Sequence, residues 1–486
     1  MRLRFCRGAD SVTLSTVPVP VIPIATMREW EAASWAAGQT EAEVIRRVGQ
    51  CIACRARSLT GAGDTILIIA GKGHNGDDAR AAGDYLEGRR VKLLKLLQPE
   101  ADLLPLETAL REDLALIIDG LFGLGLDRPL AEPWQRIIAA INAANLPILA
   151  VDVPSGLNAD TGEPQGAAVR ASLTLTVGAP KVGLLAAPAW PFVGRLEVAA
   201  NVGLIACPYT GELIWTQPED FGAFPPPRPV AAHKGSFGHV VIVAGSLGYH
   251  GAAVLAARGA QRAQPGLATV FTQPNVYSVV ASQLQSAMVG FWQPENRFPE
   301  NITALLVGPG LAARDAVESL RRVINPWWRD AEYPVVVDAS ALDLLAVGPF
   351  TNQASRILTP HPGEAARLLG WTAQKVQANR LAALREISGR YGKAWVVLKG
   401  HQTLIGRSEG EVYVNPSGNP HLAQGGSGDL LSGFIAGLLA QPALQADMAQ
   451  TLRFAVWQHG AAADQLQSTR ANWTLEDLAK EIGNAH

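Results

Sequence analysis

The feature that most constrains this chain is a pattern written many times over. A short, wholly apolar run is followed by a turn of Gly, Pro, Asp or His, and then by a stretch with helical spacing. In the first half the runs are "TILIIA" (65–70), "VKLLKLL" (91–97), "LALIIDG" (114–120), "LPILAVDVPSG" (146–156) and "ASLTLTVG" (171–178). In the second they are "HVVIVAG" (239–245), "LATVFTQ" (267–273), "ALLVGPG" (304–310), "YPVVVDA" (333–339), "RILTPH" (356–361) and "AWVVLKG" (394–400). Runs with no polar alternation predict strands covered on both faces, as in a parallel sheet. Helical stretches such as "MREWEAASWAAGQTEAEVIRRVG" (27–49) and "PWQRIIAAIN" (133–142) supply the covering layers. The expected class is α/β, doubly wound, with ligands received beyond the carboxyl ends of the strands.

A length of 486 residues exceeds one ordinary core. The stretch "TQPEDFGAFPPPRPVAAH" (216–233) is rich in proline, which restricts the backbone and removes donors. It predicts a semi-rigid linker over 216–232, between a domain at 21–215 and one at 233–486. Residues 1–20 read as a flexible leader, basic but without a continuous apolar core. A net charge of -2 offers no basic surplus for nucleic acid or anionic membrane. No apolar run reaches membrane-spanning length, so a cytoplasmic enzyme acting on small molecules is expected. Four cysteines are too few for a disulfide scaffold, and Cys51 and Cys54, in a predicted helix, read as packing residues.

The strongest chemical signal is "AQGGSGDLLSGFIAGLLA" (423–440). Gly425, Gly426, Ser427 and Gly428 let the backbone approach a ligand and turn amides toward it at a helix start, where phosphate is favoured. Asp429, in the first turn, can accept a hydroxyl proton while those amides stabilise a phosphoryl group. Alone, GGSGD serves equally as a tight turn into a helix. Its companions shift the balance: Lys399 and Gly400 in "VLKGHQT" (397–403), His361 and Glu364 in "LTPHPGEAARLLG" (358–370), and Asp338 in "VVVDAS" (335–340) all follow strands.

Together with "HKGSFGHVVIVAGSLGYHGAAVLAARGA" (233–260) and "LLVGPGL" (305–311), these segments make the second half resemble the ADP- or ATP-dependent NAD(P)H-hydrate dehydratases. The resemblance implies a ribokinase-like fold and a repair reaction. The nucleotide phosphorylates the hydroxyl of a hydrated nicotinamide ring, and elimination restores NADH or NADPH, with AMP or ADP and phosphate released. It implies that Asp429 is the base and that Gly425, Gly426, Ser427 and Gly428 form the anion hole. Lys399, Gly400, His401, Gln402 and Thr403 would bind the nucleotide. Ala253, Gly310 and His361, with Asp429, would contact the hydrated cofactor. Mg²⁺ is expected to bridge phosphates. A ribokinase-type kinase of a small molecule is the competing reading of the same fold.

In the first half, "VDVPSGLNADTGEPQG" (151–166) places Asp152 at a strand end, and "IIDGLFGLGLDRPL" (117–130) adds Asp119 and a glycine-rich turn. "GAPKVGL" (178–184) offers Lys181, for a phosphate or for solvent. These segments resemble the NAD(P)H-hydrate epimerase domain, Rossmann-like and three-layered, which interconverts the R and S hydrates because the dehydratase accepts only S. The resemblance makes Asp152 the catalytic carboxylate and Asn75, Asp119 and Ser155 the ligands of potassium. It makes His74, Asn75, Gly76, Asp77 and Asp78 substrate-binding, with Gly123, Leu124, Gly125, Leu126, Asp127, Arg128 and Pro129. The family's opening turn reads approximately G-x-G-N-N-G-G-D-G, and this chain has "GKGHNGDDA" (71–79). His74 replaces Asn, and Asp77 and Ala79 replace glycines. Asp77 adds a charge where a phosphate-bearing substrate approaches, and this raises the alternative of a dehydratase with a scaffold-like first half. By analogy with both families a homo-oligomer is expected.

Overall fold

The structure is a computed structural model that describes residues 18–295, 297–350 and 353–485. Most of the expected leader lies outside the described residues. The chain forms two compact units that divide between Trp215 and Thr216.

In the first unit the strands are β1 (Val19–Pro20), β2 (Thr65–Ala70), β3 (Arg90–Lys95), β4 (Leu116–Gly120), β5 (Ile148–Val151), β6 (Leu173–Val177), β7 (Arg195–Ala199) and β8 (Leu213–Trp215). Six of them form a sheet in the order β3-β2-β4-β5-β6-β7, with every neighbouring pair parallel. β1 pairs antiparallel with β8, so the expected leader ends before Val19. "TILIIA" is apolar throughout because its two faces serve two cores. Ile66 and Ile68 pack with Val48 and Ile52 on one side. Leu67 and Ile69 pack with Leu106, Ile137 and Ile141 on the other.

Two expectations are corrected here. "VKLLKLL" is not a buried strand: β3 lies at the sheet edge, and Val91 and Leu93 are exposed. The single helical stretch 27–49 belongs to two helices, Ile24–Ala36 and Glu41–Leu59. Gly38, at φ +91°, stops the first. Thr40 starts the second, its hydroxyl accepting from the Glu43 amide at 3.3 Å.

In the second unit the strands are β9 (His239–Val243), β10 (Leu267–Thr272), β11 (Met288–Phe291), β12 (Ala304–Val307), β13 (Val335–Val337), β14 (Arg356–Leu358), β15 (Trp395–Leu398), β16 (Leu404–Gly406) and β17 (Val412–Val414). Their order is β17-β16-β15-β14-β13-β12-β9-β10-β11. β9 through β15 run parallel to their neighbours, and β16 and β17 are antiparallel additions. The start of the proline-rich stretch is not a linker but part of this unit. Phe221 is buried against Phe454 and Trp457, with ring centroids 5.5 and 5.3 Å away, and Asp220 pairs with Arg453. Aromatic burial and a partly buried ion pair outweigh the local preference of Pro218 for an extended connection.

Both sheets have a topological switch point, where successive connections leave in opposite directions and open a crevice beyond the strand ends. In the first unit it lies between β2 and β4, and in the second between β9 and β12. In the second unit, two helices, His250–Arg262 and Ser427–Leu439, lie in backbone contact along a glycine seam. A β-carbon on Gly433 would stand 1.9 Å from the Ala256 carbonyl oxygen, and one on Gly259 2.1 Å from that of Leu430. This seam fixes where the start of the Ser427–Leu439 helix points. Among the described residues no helix is long and apolar enough to cross a membrane.

Candidate functional site

At the switch point of the first unit, β2 runs into the turn at Gly71–Gly73 and then into the helix His74–Ala82. The turn is folded tightly on itself: a β-carbon on Gly71 would stand 2.0 Å from the Leu121 carbonyl oxygen, and one on Gly76 2.3 Å from that of Gly71. Asn75 is buried and donates through Nδ2 to the Phe122 carbonyl at 2.9 Å. Asp119, near the end of β4, is fully buried. Its carboxyl accepts from the Ser155 hydroxyl at 2.6 Å, the Ser155 amide at 2.9 Å and the Leu121 amide at 3.2 Å. The Phe122 amide donates to the Ser155 hydroxyl at 2.8 Å. Asn75, Asp119 and Ser155 are thus brought together around Phe122. Burial pushes the Asp119 carboxyl up, against the hydrogen bonds from Ser155 and Leu121. Among the described residues no cationic side chain pairs with it. Amide, carboxylate, hydroxyl and carbonyl oxygens around a buried acid are a donor set that suits a hard cation such as potassium.

Asp152 follows β5 in the left-handed region, at φ +61°. Its Oδ1 accepts from Lys181 Nζ at 2.5 Å, Thr176 Oγ1 at 2.9 Å and the Val177 amide at 2.9 Å. Lys181 reaches neither solvent nor a phosphate. It is fully buried and also bonds the Val177 carbonyl at 2.9 Å. Both sequence readings of Lys181 are therefore replaced by an anchoring role, which only the tertiary structure reveals.

The altered turn is internally compensated. Asp77 lies within a right-handed helix, so the lost glycine brings no positive-φ strain. Its carboxylate pairs with Arg80, whose Nη1 also donates to the Gly71 carbonyl at 3.1 Å. Ala79 is fully buried against Gly120. His74 is exposed, 3.0 Å from Glu41. Asp78 is different: its Oδ1 is buried without a hydrogen-bond partner. Burial first, then the charges of Asp152, Glu31 and Glu41, lift its carboxyl to about 8, with Lys181 opposing. Across the crevice, Gly123 lies against Asn75. Leu124 accepts from Arg28 at 3.4 Å. Leu126 packs toward the core, while Gly125, Asp127, Arg128 and Pro129 are exposed.

In the second unit the Ser427–Leu439 helix opens at Gly426, left-handed at φ +100°. Asp429 is in the first turn, and its carboxyl is pushed up to about 6. Burial is the main cause, Asp338 and Glu364 add to it, and Lys399 opposes it. Lys399, after β15, sits 2.8 Å from Asp338 Oδ1 and 3.9 Å from Glu364 Oε2. Its ammonium would be 3.0 Å from a β-carbon on Gly428. Burial disfavours that charge, but Asp338 and Glu364 outweigh it and hold the Lys399 pKa above its ordinary value. His361 caps the helix Pro362–Leu369: its Nδ1 accepts from the Gly363 and Glu364 amides at 3.0 and 3.3 Å. Glu364 accepts in return from the His361 amide at 2.8 Å. With Nδ1 an acceptor, the ring proton is on Nε2.

The segment Lys399–Thr403 is bent through Gly400 at φ +133° and Gln402 at φ +52°. Arg380, which sequence reasoning missed, closes the bend by donating to the Leu398 and Gln402 carbonyls at 3.1 and 3.4 Å. Burial, then Arg380, pushes His401 down. His459 was also missed. It is buried, is pushed down to about 4 by burial, and meets the Ser427 hydroxyl at 3.4 Å. Gly310, at φ +64°, accepts from the Ser246 hydroxyl at 2.6 Å. Ala253 is fully buried beneath Gly245. Cys51 is a free, half-buried thiol, whereas Cys54 is disulfide-bonded and so is more than the packing residue expected.

Fold and sites together define a two-unit α/β enzyme, with a Rossmann-like first unit and a ribokinase-like second unit. Comparison with known proteins agrees. The NAD(P)H-hydrate dehydratase family matches residues 240–484, and the YjeF-related protein N-terminus family matches residues 94–183. A bifunctional NAD(P)H-hydrate repair enzyme Nnr from Coxiella burnetii is 36% identical over 463 residues, covering 90% of this chain and 93% of the relative. One of the same description from Vibrio cholerae is 38% identical over 359 residues, covering 73% and 70%. Among solved structures, the ADP/ATP-dependent NAD(P)H-hydrate dehydratase from Bacillus subtilis, co-crystallised with ATP/Mg²⁺, is 31% identical. It covers 53% of this chain and 91% of its own, with a TM-score of 0.48. This chain belongs to the family of bifunctional NAD(P)H-hydrate repair enzymes.

Proposed function

We propose that residues 21–215 interconvert the R and S hydrates of NADH and NADPH, and that residues 233–486 dehydrate the S form with ADP or ATP. The observation that carries the reading is the start of the Ser427–Leu439 helix. There a half-buried carboxyl pushed up to about 6, Asp429, stands beside Lys399 and helix-start amides. Asp429 takes the proton of the ring hydroxyl as the hydroxyl oxygen bonds the terminal phosphorus and AMP or ADP departs. The amides of Gly426 and Gly428 and the ammonium of Lys399 hold the phosphoryl oxygens. The ring nitrogen's electron pair then expels phosphate, and loss of a proton from the adjacent carbon restores the double bond. Bound with the nucleotide, Mg²⁺ would neutralise phosphate charge. Arg380 keeps the nucleotide segment bent, and His361 offers its Nε2 proton to the hydrated cofactor.

In the first unit, Asn75, Asp119 and Ser155 would hold potassium, which supplies a fixed positive charge near the substrate's phosphates. The pairing of Asp77 with Arg80 supports an active epimerase, because the added charge is already balanced. The reading includes a homo-oligomer in the cytoplasm, acting on dissolved nucleotides. Asp429→Ala tests it. Nucleotide-dependent recovery of NADH from S hydrate should fall on the order of 100-fold or more. Unchanged turnover refutes the assignment, and a stable phosphorylated product without NADH would favour a small-molecule kinase.

A further inference from the structure

Interconverting R and S makes two demands on the first unit. The departing hydroxyl must be protonated, and the cation left on the ring must be stabilised. Asp152 is built for the second demand only. Its Oδ1 is filled by three donors, one of them the ammonium of a fully buried lysine. Asp78 has the opposite surroundings. No donor reaches its buried Oδ1, and the charged groups facing it are Asp152, Glu31 and Glu41, with the Lys181 ammonium opposing them. An ionised carboxylate there would be desolvated, unbonded and set among like charges, so the neutral acid is the favoured form.

We propose that Asp78 is the general acid of epimerisation, while the Asp152 carboxylate, held in place by Lys181, faces the ring cation. This rests on the epimerase reading of the first unit. As the C–O bond breaks, the ring nitrogen's electron pair forms a C=N bond. Asp78 gives its proton to the hydroxyl, which leaves as water. A water adding to the other face of the now planar carbon returns a proton through solvent to the Asp78 carboxylate, and the C=N electrons return to nitrogen. With its carboxyl lifted to about 8, Asp78 keeps its proton through neutral pH.

The test is R-to-S conversion by the full chain, above the spontaneous rate, followed against pH. Wild type should lose rate as pH rises through about 8. Asp78→Asn should lose on the order of 100-fold or more and show no alkaline limb. Asp78→Glu should recover part of the rate and keep a limb. A thermal melt checks the fold, and Asp78→Asn, which needs no buried charge, should melt no lower than wild type. Asp78→Asn at the wild-type rate with an unchanged alkaline limb would overturn the proposal while leaving the epimerase reading intact. Wild type no faster than the spontaneous reaction would overturn both.

Discussion

At the scale of single residues, the second unit sets a working pH. The Asp429 carboxyl, pushed up to about 6, must be ionised to take a proton. Dehydration should therefore fall as pH drops through about 6 and level off above it. Asp338 is one cause of that elevation, by like charge. Asp338→Asn should move the acid limb of kcat to lower pH, and an unmoved limb would show that Asp338 only supports the fold. Lys181 offers a contrasting case. It is fully buried, and its ammonium is satisfied by Asp152, Thr176 and Val177. Lys181→Met leaves Asp152 as an uncompensated buried charge, which costs about 3–5 kcal/mol. The loss should appear as a lower urea midpoint. The aspartates at 78, 119 and 152 are visible in the sequence as polar strand ends and turns. That Lys181 is buried is not, because the residues around it come from β5, β6 and the helix Ile24–Ala36, and only folding assembles them. The Asp77–Arg80 pair was closer to hand: a spacing of three on a helix is a neighbour relation the sequence already contains.

At the scale of elements, the seam between His250–Arg262 and Ser427–Leu439 couples packing to catalysis. Gly433→Ala would force a β-carbon to within 1.9 Å of the Ala256 carbonyl oxygen. The helices must part, at a cost of roughly 1–3 kcal/mol. Because the Ser427–Leu439 helix carries the anion hole, kcat should fall along with the melting temperature. A drop in melting temperature with full activity would mean that the helix start is held independently of the seam. The long parallel strands were legible because apolar runs covered on both faces have no other soluble solution. β11, β16 and β17 were not. They are short, and β16 and β17 are antiparallel additions whose pairing with β15 depends on distant residues. β3 departs from a buried strand because Val91 and Leu93 are exposed at the sheet edge.

At the scale of the whole molecule, the two units should act in series on a mixed substrate. Supplied with both epimers and nucleotide, wild type should return all the hydrate to NADH. Asp152→Asn should convert the S fraction and then slow to the spontaneous rate of epimerisation. Equal yields and time courses from the two would show that the first unit contributes no isomerase. The proline-rich stretch marked the division in the sequence. Its first residues nevertheless belong to the second unit, because Phe221 has an aromatic pocket to fill.

The Asp77–Arg80 pair also makes two positions answer as one. Arg80 without Asp77 still bonds the Gly71 carbonyl, whereas Asp77 without Arg80 is a bare charge beside the turn. Exchanging the arginine alone therefore strands a carboxylate that exchanging both together does not.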